Sequence, residues 1–293
     1  MKPAPLSYVA VPSVQDALSE LALRDDSKVI AGGQSLLPLL ALRMASPSRL
    51  VDVNKIADLD CVFEDAGDVV LGSLVRHRRL VEDRAVAVLL PLLPMAASHI
   101  GHVAIRNRGT LGGSVAHADP AAELCAVMKL LDARMTCASA ERGTRDVPAE
   151  EFFLGPYATA LDDDELLTSV RVPVPSPGVR AGFVEFSART GDYARAGAAC
   201  QVLVRESRVE DAQAVVFGVG VDAVRLPGPP AGLIGETAEA VDWEELAFAW
   251  VRETSERFSP PRRSLVGTAL ARSLTAAVLP CDPSTLEPSC AKT

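Results

Sequence analysis

Apolar residues at Val14, Ala17, Leu18 and Leu21 fall at i, i+3, i+4 and i+7, one face of an α-helix, and Ser13 stands where an N-cap belongs. The pattern then changes period. Lys28-Val29-Ile30-Ala31 reads as a short buried strand stopped by Gly32-Gly33, and Pro38 suits the first turn of a helix running through Leu42. Leu50-Val51-Asp52-Val53 reads as a second strand, so strand, glycine turn, helix and strand form an α/β unit with parallel pairing. A third strand is expected over Val69–Leu74, before an Arg/His-rich turn at 76–79, and a helix from Pro91 to Ile100. The stretch Ile105 to Ser114 reads as a loop. Asp119 and Pro120 then read as cap and first position of a helix with Leu124, Val127, Met128 and Leu131 on its apolar face.

The alternating prolines at 173, 175 and 177 can continue neither a helix nor a central strand, which places a domain boundary there. Beyond it, strands are expected at 182–187, 197–204 and 213–221, and helices at 243–257 and near 263–278; the tail after Pro280 reads as frayed. The organisation expected is a domain over 1–175, with subdomains about 1–55 and 56–175, a C-terminal domain over 179–282 and a tail over 283–293. A meander of strands backed by two helices is an α+β pattern.

Composition narrows the function. Aromatic residues are only 4% against 48% hydrophobic overall, so the core must be built from Ala, Val and Leu. With 29 basic and 38 acidic residues the net charge is −9, which disfavours non-specific attraction to nucleic acid or anionic lipid. The longest apolar run, Ala85 to Ala97, is broken by Pro91 and Pro94 and is too short for a membrane span, and no signal peptide is visible. Six cysteines at 61, 125, 137, 200, 281 and 290 form no CxxC pair and match no zinc or iron–sulfur spacing; reduced thiols in a cytoplasmic protein are expected.

Two Gly-Gly pairs carry the strongest chemical signal. Gly32-Gly33 is followed by Ser35 two positions on, and Gly112-Gly113 by Ser114, with Thr110 nearby. Glycine lets a backbone approach an oxyanion closely and aim N–H groups at it, and a hydroxyl adds a donor. Two such loops suit the two ends of one diphosphate. Neither is GxGxxG or GxxxxGK[ST], and each reads equally well as a tight turn.

The wording of these loops is more specific than their physics. Ala31-Gly32-Gly33-Gln34-Ser35-Leu36-Leu37-Pro38-Leu39, with Arg43 and Leu50-Val51-Asp52, resembles the first flavin-binding stretch of the FAD-binding medium subunits of molybdenum hydroxylases, of the carbon monoxide dehydrogenase and xanthine dehydrogenase type. The stretch from Ile105 to Glu123 resembles the second, while Glu165-Leu166-Leu167 and Arg189-Thr190-Gly191-Asp192-Tyr193-Ala194 are similar to two later markers. The resemblance implies a two-subdomain FAD-binding domain of the vanillyl-alcohol-oxidase-like type, followed by a C-terminal α+β domain of antiparallel sheet and helices. It implies that Ala31, Gly32, Gly33, Gln34, Ser35 and Leu36, with Thr110, Gly112, Gly113 and Ser114, hold FAD. His117 lies inside the second stretch, Asp119 would sit by the ribityl or phosphate region, Leu166 would line the flavin pocket and Tyr193 would lie near the isoalloxazine. On residue type alone, Tyr193 reads also as a buried tyrosine with a satisfied hydroxyl.

Implied partners are an iron–sulfur small subunit and a molybdenum-cofactor large subunit, with NAD, quinone or oxygen as acceptor. Two departures stand out: Cys125 replaces a proline usual in the family, and residues 258–263 lack its tyrosine–arginine pattern. The second motivates an alternative, a standalone FAD-dependent oxidoreductase acting directly on a small molecule. His77, His99 and His102 offer no metal spacing and suit surface or hydrogen-bonding roles; Arg76 to Arg79 reads as a solvated face or as a nucleotide contact.

Overall fold

Three larger sheets follow one another along the chain, with a two-stranded pair within the second unit, and hydrophobic clusters join neighbouring units. The computed structural model describes residues 2–23, 26–220, 222–254 and 258–278. In the first unit β1 (Ser7–Ala10), α1 (Val14–Leu21), β2 (Ser27–Ile30), α2 (Leu36–Ala41) and β3 (Arg49–Asp52) form a three-stranded sheet of order β1-β3-β2, both outer strands parallel to β3. The Ser13 hydroxyl caps α1 by accepting from Asp16 N at 3.1 Å. β1 gives no sequence signal because it is an edge strand with none of its four residues buried. β2 is an edge strand, so its side chains are half-buried at most rather than interior.

The second unit contains β4 (Val62–Asp65), β5 (Asp68–Gly72), α3 (His77–Glu82), α4 (Arg84–Leu89), α5 (Leu92–His99), α6 (Val103–Arg106), α7 (Leu111–His117) and α8 (Glu123–Leu130). β6 (Arg134–Ser139), β7 (Gly143–Pro148), α9 (Ala149–Phe152), the short pair β8 (Phe153–Gly155) and β9 (Ala158–Thr159), and β10 (Glu165–Pro173) complete it. Its five-stranded antiparallel sheet has the order β4-β5-β10-β6-β7. The buried face of α1 joins Leu74, Ala138 and Leu166 of this unit in one cluster, so the first two units share a core.

Local chemistry overturns three expectations here. Residues 76–79 are not a turn; they enter α3. Residues 105–114 are not one loop: the second Gly-Gly lies in the first turn of α7, whose N-cap is Thr110. Asp119 caps no helix, because its carboxylate accepts from Ala121 N at 2.9 Å and so closes a turn, and α8 starts only after Ala122.

The third unit is an antiparallel meander of β11 (Val179–Ser187), β12 (Ala194–Arg205), β13 (Arg208–Phe217) and β14 (Val224–Arg225), with α10 (Trp243–Arg252) and α11 (Pro260–Val278). β13 begins at Arg208, earlier than expected, because a two-residue turn at Glu206 and Ser207 takes left-handed φ of 48° and 62° without glycine. α10 ends at Arg252, short of the expected 257; residues 255–257 and the tail after Pro280 lie outside the described residues. Along β12, Ala196, Ala198, Cys200 and Val202 join Trp250, Leu270 and Leu274 under the helices, while Ala199 joins the cluster of the second unit. The sheet is therefore buried on both faces. All eight residues of α8 are buried, as a helix enclosed on every side must be.

Small residues permit this closeness. A Cβ on Gly182 would stand 2.0 Å from Ser273 O of α11, whereas one on Gly228 would meet nothing within 4 Å. Gly182→Ala is expected to destabilise the protein by about 1–3 kcal/mol through overpacking, and Gly228→Ala by less than about 0.5 kcal/mol, as read by denaturant or thermal unfolding.

Candidate functional site

The first glycine loop leaves donors unspent. After β2 the chain turns through Gly33 at φ +72°, and Gln34 Nε2 donates to Gly32 O at 2.9 Å, curling the loop on itself. Leu37 N donates to Gly33 O at 3.1 Å as α2 begins. Among the described residues none accepts from the amides of Gly33, Gln34 or Ser35, and the Ser35 hydroxyl caps nothing. Leu36, half-buried, opens α2.

The second loop is built the opposite way. Leu111 N donates to Val75 O at 2.9 Å, Gly112 N to Ser73 O at 2.9 Å and Gly113 N to the Thr110 hydroxyl at 3.0 Å. Its amides are spent inside the protein. Gly112 is glycine because the segment after β5 leaves no room: a Cβ there would lie 2.5 Å from Ser73 Cβ. Gly113 is exposed and would meet only the Thr110 hydroxyl, so α7 presents a bare backbone beside the half-buried Ser114.

His77, not singled out from the sequence as a site residue, anchors this helix from beneath. It is 3% exposed, with Nε2 2.9 Å from Thr110 O and 3.0 Å from the Ser114 hydroxyl. A carbonyl only accepts, so Nε2 carries the proton and the buried Nδ1 is left without a partner. Burial, outweighing the Thr110 bond, pushes the imidazole down to about 4, so it is neutral at physiological pH.

The two loops meet. A Cβ on Gly32 would lie 2.3 Å from Arg108 O and 2.8 Å from Gly109 Cα. Two backbones are thus in direct contact although 76 positions separate Gly32 from Arg108.

Next to α7 lies an acid and aromatic cluster. Ala118 ends α7 at φ +49°, and its carbonyl accepts from the amide of Tyr157, itself at φ +57°. Two non-glycine residues in the left-handed region carry strain of order 1–2 kcal/mol each. The Tyr157 ring stands 5.1 Å from that of His117, and its hydroxyl donates to Asp119 Oδ2 at 3.3 Å. Tyr193, in the turn before β12, is 68% exposed, which excludes the buried alternative; burial of its inner part, then the charges of Asp119 and Glu123, hold its phenol above the ordinary value. Glu123 of α8 lies beside Glu185 of β11, whose Oε2 is buried without a hydrogen-bond partner. Leu166 is 4% exposed in the core shared with α1, against which Ala31 of the first loop also packs, and that leaves almost none of its side chain for a ligand. Tyr157, Glu123 and Glu185 were missed; only their spatial convergence marks them. Among the described residues no group of three or more His, Cys, Asp or Glu is placed to hold a metal ion, and no helix is long and apolar enough to cross a membrane.

Comparison with known proteins gives one consistent result. The family described as "FAD binding domain in molybdopterin dehydrogenase" matches residues 4–175. The 6-hydroxypseudooxynicotine dehydrogenase complex subunit alpha of Paenarthrobacter nicotinovorans is 42% identical over 254 residues, 86% of each chain. The nicotine 6-hydroxylase medium subunit of the same organism is 41% identical over 228 residues, 78% of this chain and 79% of that one. Quinoline 2-oxidoreductase from Pseudomonas putida 86 contains a chain that superposes with a TM-score of 0.88 at 36% identity, covering 95% of this chain and 98% of its own.

The carboxyl pair gives the site a pH signature. Burial raises Glu123 to about 7 and Glu185 to about 8, from an ordinary 4.5. Folded chains therefore hold protons that unfolded chains have released, so the pair's contribution to stability is complete below about 4.5 and is lost as pH rises through 7 to 8. Glu185→Gln is expected to flatten the fall in melting temperature between pH 5 and 8.5 and to melt above wild type at pH 8.5. His77 acts with the opposite sign: its contribution is present above 6.5 and lost as pH falls through about 4.

Proposed function

We propose, for a chain that belongs to the family of FAD-binding domains of molybdopterin dehydrogenases, that it works as the FAD-binding electron-transfer subunit of a molybdenum-containing hydroxylase or dehydrogenase. It is an oxidoreductase subunit. The observation that carries the reading is the contact of Gly32 with Arg108 and Gly109, which makes one site of two distant loops.

The residues present suit FAD. Free amides at Gly33, Gln34 and Ser35, with the Ser35 hydroxyl, offer donors to a diphosphate. Thr110, Gly112, Gly113 and Ser114 would serve differently, giving close approach over the exposed Gly113 and one hydroxyl at Ser114, while Ala31, Gly32 and Leu36 shape the edge. His117, Asp119 and Tyr193 would hold the flavin end, with Tyr157 beside them. When bound, FAD takes electrons singly or in pairs, which joins a one-electron donor to a two-electron acceptor. The protein's own tasks are to bind, orient and limit water at the ring; the neutral His77 keeps Ser114 in place without adding charge.

Electrons would arrive from an iron–sulfur small subunit fed by a molybdenum-cofactor large subunit, and leave to NAD, quinone or oxygen. Relatives named as subunits of complexes favour this over a standalone enzyme. A division into residues 1–175 for FAD and 179–282 as a C-terminal domain fits the extent of the family match and the change of sheet between β10 and β11. Unpaired, buried thiols at Cys125, Cys137 and Cys200 suit a cytoplasmic setting.

The test is purification of the chain co-produced with its genomic neighbours, followed by a visible absorption spectrum and a gel. Flavin absorbance and two co-purifying chains are expected; a colourless chain that takes up no added FAD refutes the reading. Ser114→Ala is expected to weaken FAD binding roughly tenfold, the worth of one hydrogen bond to a charged group.

A further inference from the structure

Resting on that reading, we propose that Arg76 is the positioning residue that sets the two glycine loops in register, by dividing one guanidinium between a carbonyl of the second loop and the amide side chain that holds the first. Arg76 lies outside both flavin-like stretches. Its two terminal nitrogens reach different parts of the fold. Nη1 donates to Arg108 O, the carbonyl on which Gly32 rests. Nη2 donates to Asn54 Oδ1 at 2.8 Å, and Asn54 Nδ2 in turn donates to Ala31 O at 2.7 Å, the residue before Gly32. Every link from Ala31 to Arg108 is thus a hydrogen bond through Asn54 and Arg76.

Both ends of this bridge are anchored. Asn54 is held by Asp52, which accepts from its backbone at 2.8 Å and from its side chain at 2.7 Å, and Asp52 also accepts from the Tyr8 hydroxyl at 2.5 Å. The backbone of Arg76 is tied to the second loop, because His77 N donates to Gly109 O at 3.0 Å and Leu111 N to Val75 O at 2.9 Å. Arg76 and Thr110 form an isolated antiparallel bridge. The guanidinium is therefore the part of the second unit that crosses to the end of β3 in the first.

The neighbours show what Arg76 does not do. Arg78 pairs with Glu82 within α3, and Arg79 pairs with Asp83 at its end and with Asp60 before β4. Among the described residues Arg76 makes no ion pair; its bonds go to an amide oxygen and a peptide carbonyl. Geometry and not charge is what those acceptors require. A planar fork with diverging donors meets two segments at once, while a lysine ammonium at the same place is a single point on a flexible stem. Without the bridge, the Ala31–Ser35 loop keeps its glycine contact but loses the bonds that fix its tilt.

Hydrogen exchange on the full chain without added FAD, together with FAD titration, separates the possibilities. In Arg76→Lys and Asn54→Ala the hydrogen-bonded amides that flank the loop, Leu37 N on Gly33 O and Val53 N on Ile30 O, are expected to exchange at least tenfold faster, while peptides of the third unit keep wild-type rates. FAD affinity is expected to fall at least tenfold in each, and adding Asn54→Ala to Arg76→Lys is expected to cost less than twofold more, because one bridge is broken once. Arg79→Lys, outside the bridge, is expected to match wild type in both readouts. Exchange at Leu37 and Val53 unchanged in Arg76→Lys overturns the proposal, and so do losses in affinity that multiply in the double variant. A wild-type chain that binds no FAD refutes the flavin reading alone, since the exchange data then still decide the bridge.

Discussion

Gly32 has no space for a side chain. The Arg108 carbonyl stands where its Cβ would be. The rest of the site follows from this contact of two backbones. Beside the core shared under α1, the first unit meets the second where backbone lies on backbone, and the strand end at Ile30 delivers Gly32 there. A side chain on Gly32 would push the loops apart by more than the van der Waals surface allows, and a ligand spanning both would lose one of them.

Once joined, the two loops divide the work. The amides of the second loop are spent on Val75, Ser73 and Thr110, so α7 is a rigid wall, fixed to β5 and supported by a neutral histidine. The first loop keeps its amides and is the softer element, held by Asn54 and by its own Gln34. A rigid wall of close-approach glycine facing a loop with unspent donors is suited to gripping a long anionic ligand, because the loop can adjust while the wall sets position. Two identical clamps, the picture suggested by similar spacing, would have required α7 to leave the buried amides of Leu111 and Gly112 unsatisfied before the ligand arrives, at a cost of about 1–3 kcal/mol each.

Most of the helices and strands were legible because periodicity and capping act locally: Ser13 caps α1 as its spacing indicates, and β12 lies where its apolar run lies. The misreadings share one cause. Gly112-Gly113 looks like a turn in sequence, yet the Thr110 cap and the bonds to Ser73 and Val75 make it helical, and those partners lie 35 or more positions away. Asp119 and Pro120 form a convincing helix start until the turn closed by Asp119 uses up the cap. Arg76 reads in sequence as part of a solvated face or a nucleotide contact, but its guanidinium holds the Arg108 carbonyl and the Asn54 side chain, as that of Arg106 holds the carbonyls of Ser98, Ile100 and Gly101. Tyr157, Glu123 and Glu185 have no common motif, and only the burial of α8 between the helices of the second unit and the third sheet places Glu123 beside Glu185.

That burial bears on how the site is completed. α8 packs on α5 on one side and on β12 and β13 on the other, and Lys129, at 5% exposure, crosses to Ala223 O at 3.1 Å and to Asp222. Its first residue, Glu123, meets Glu185 across the same boundary, and Tyr193 reaches the cluster from the turn that opens β12. The third unit thus supplies two of the groups around Asp119 and is not a passive appendage to the flavin-binding loops. Because α8 is fixed at both ends, by the carboxyl pair at its start and by Lys129 near its finish, a shift of the third sheet cannot leave Tyr193 and Glu185 in place. Removing the third unit would expose the face of α8 that packs on β12 and β13 and strip the cluster of Glu185 and Tyr193. The site belongs to the junction of all three sheets.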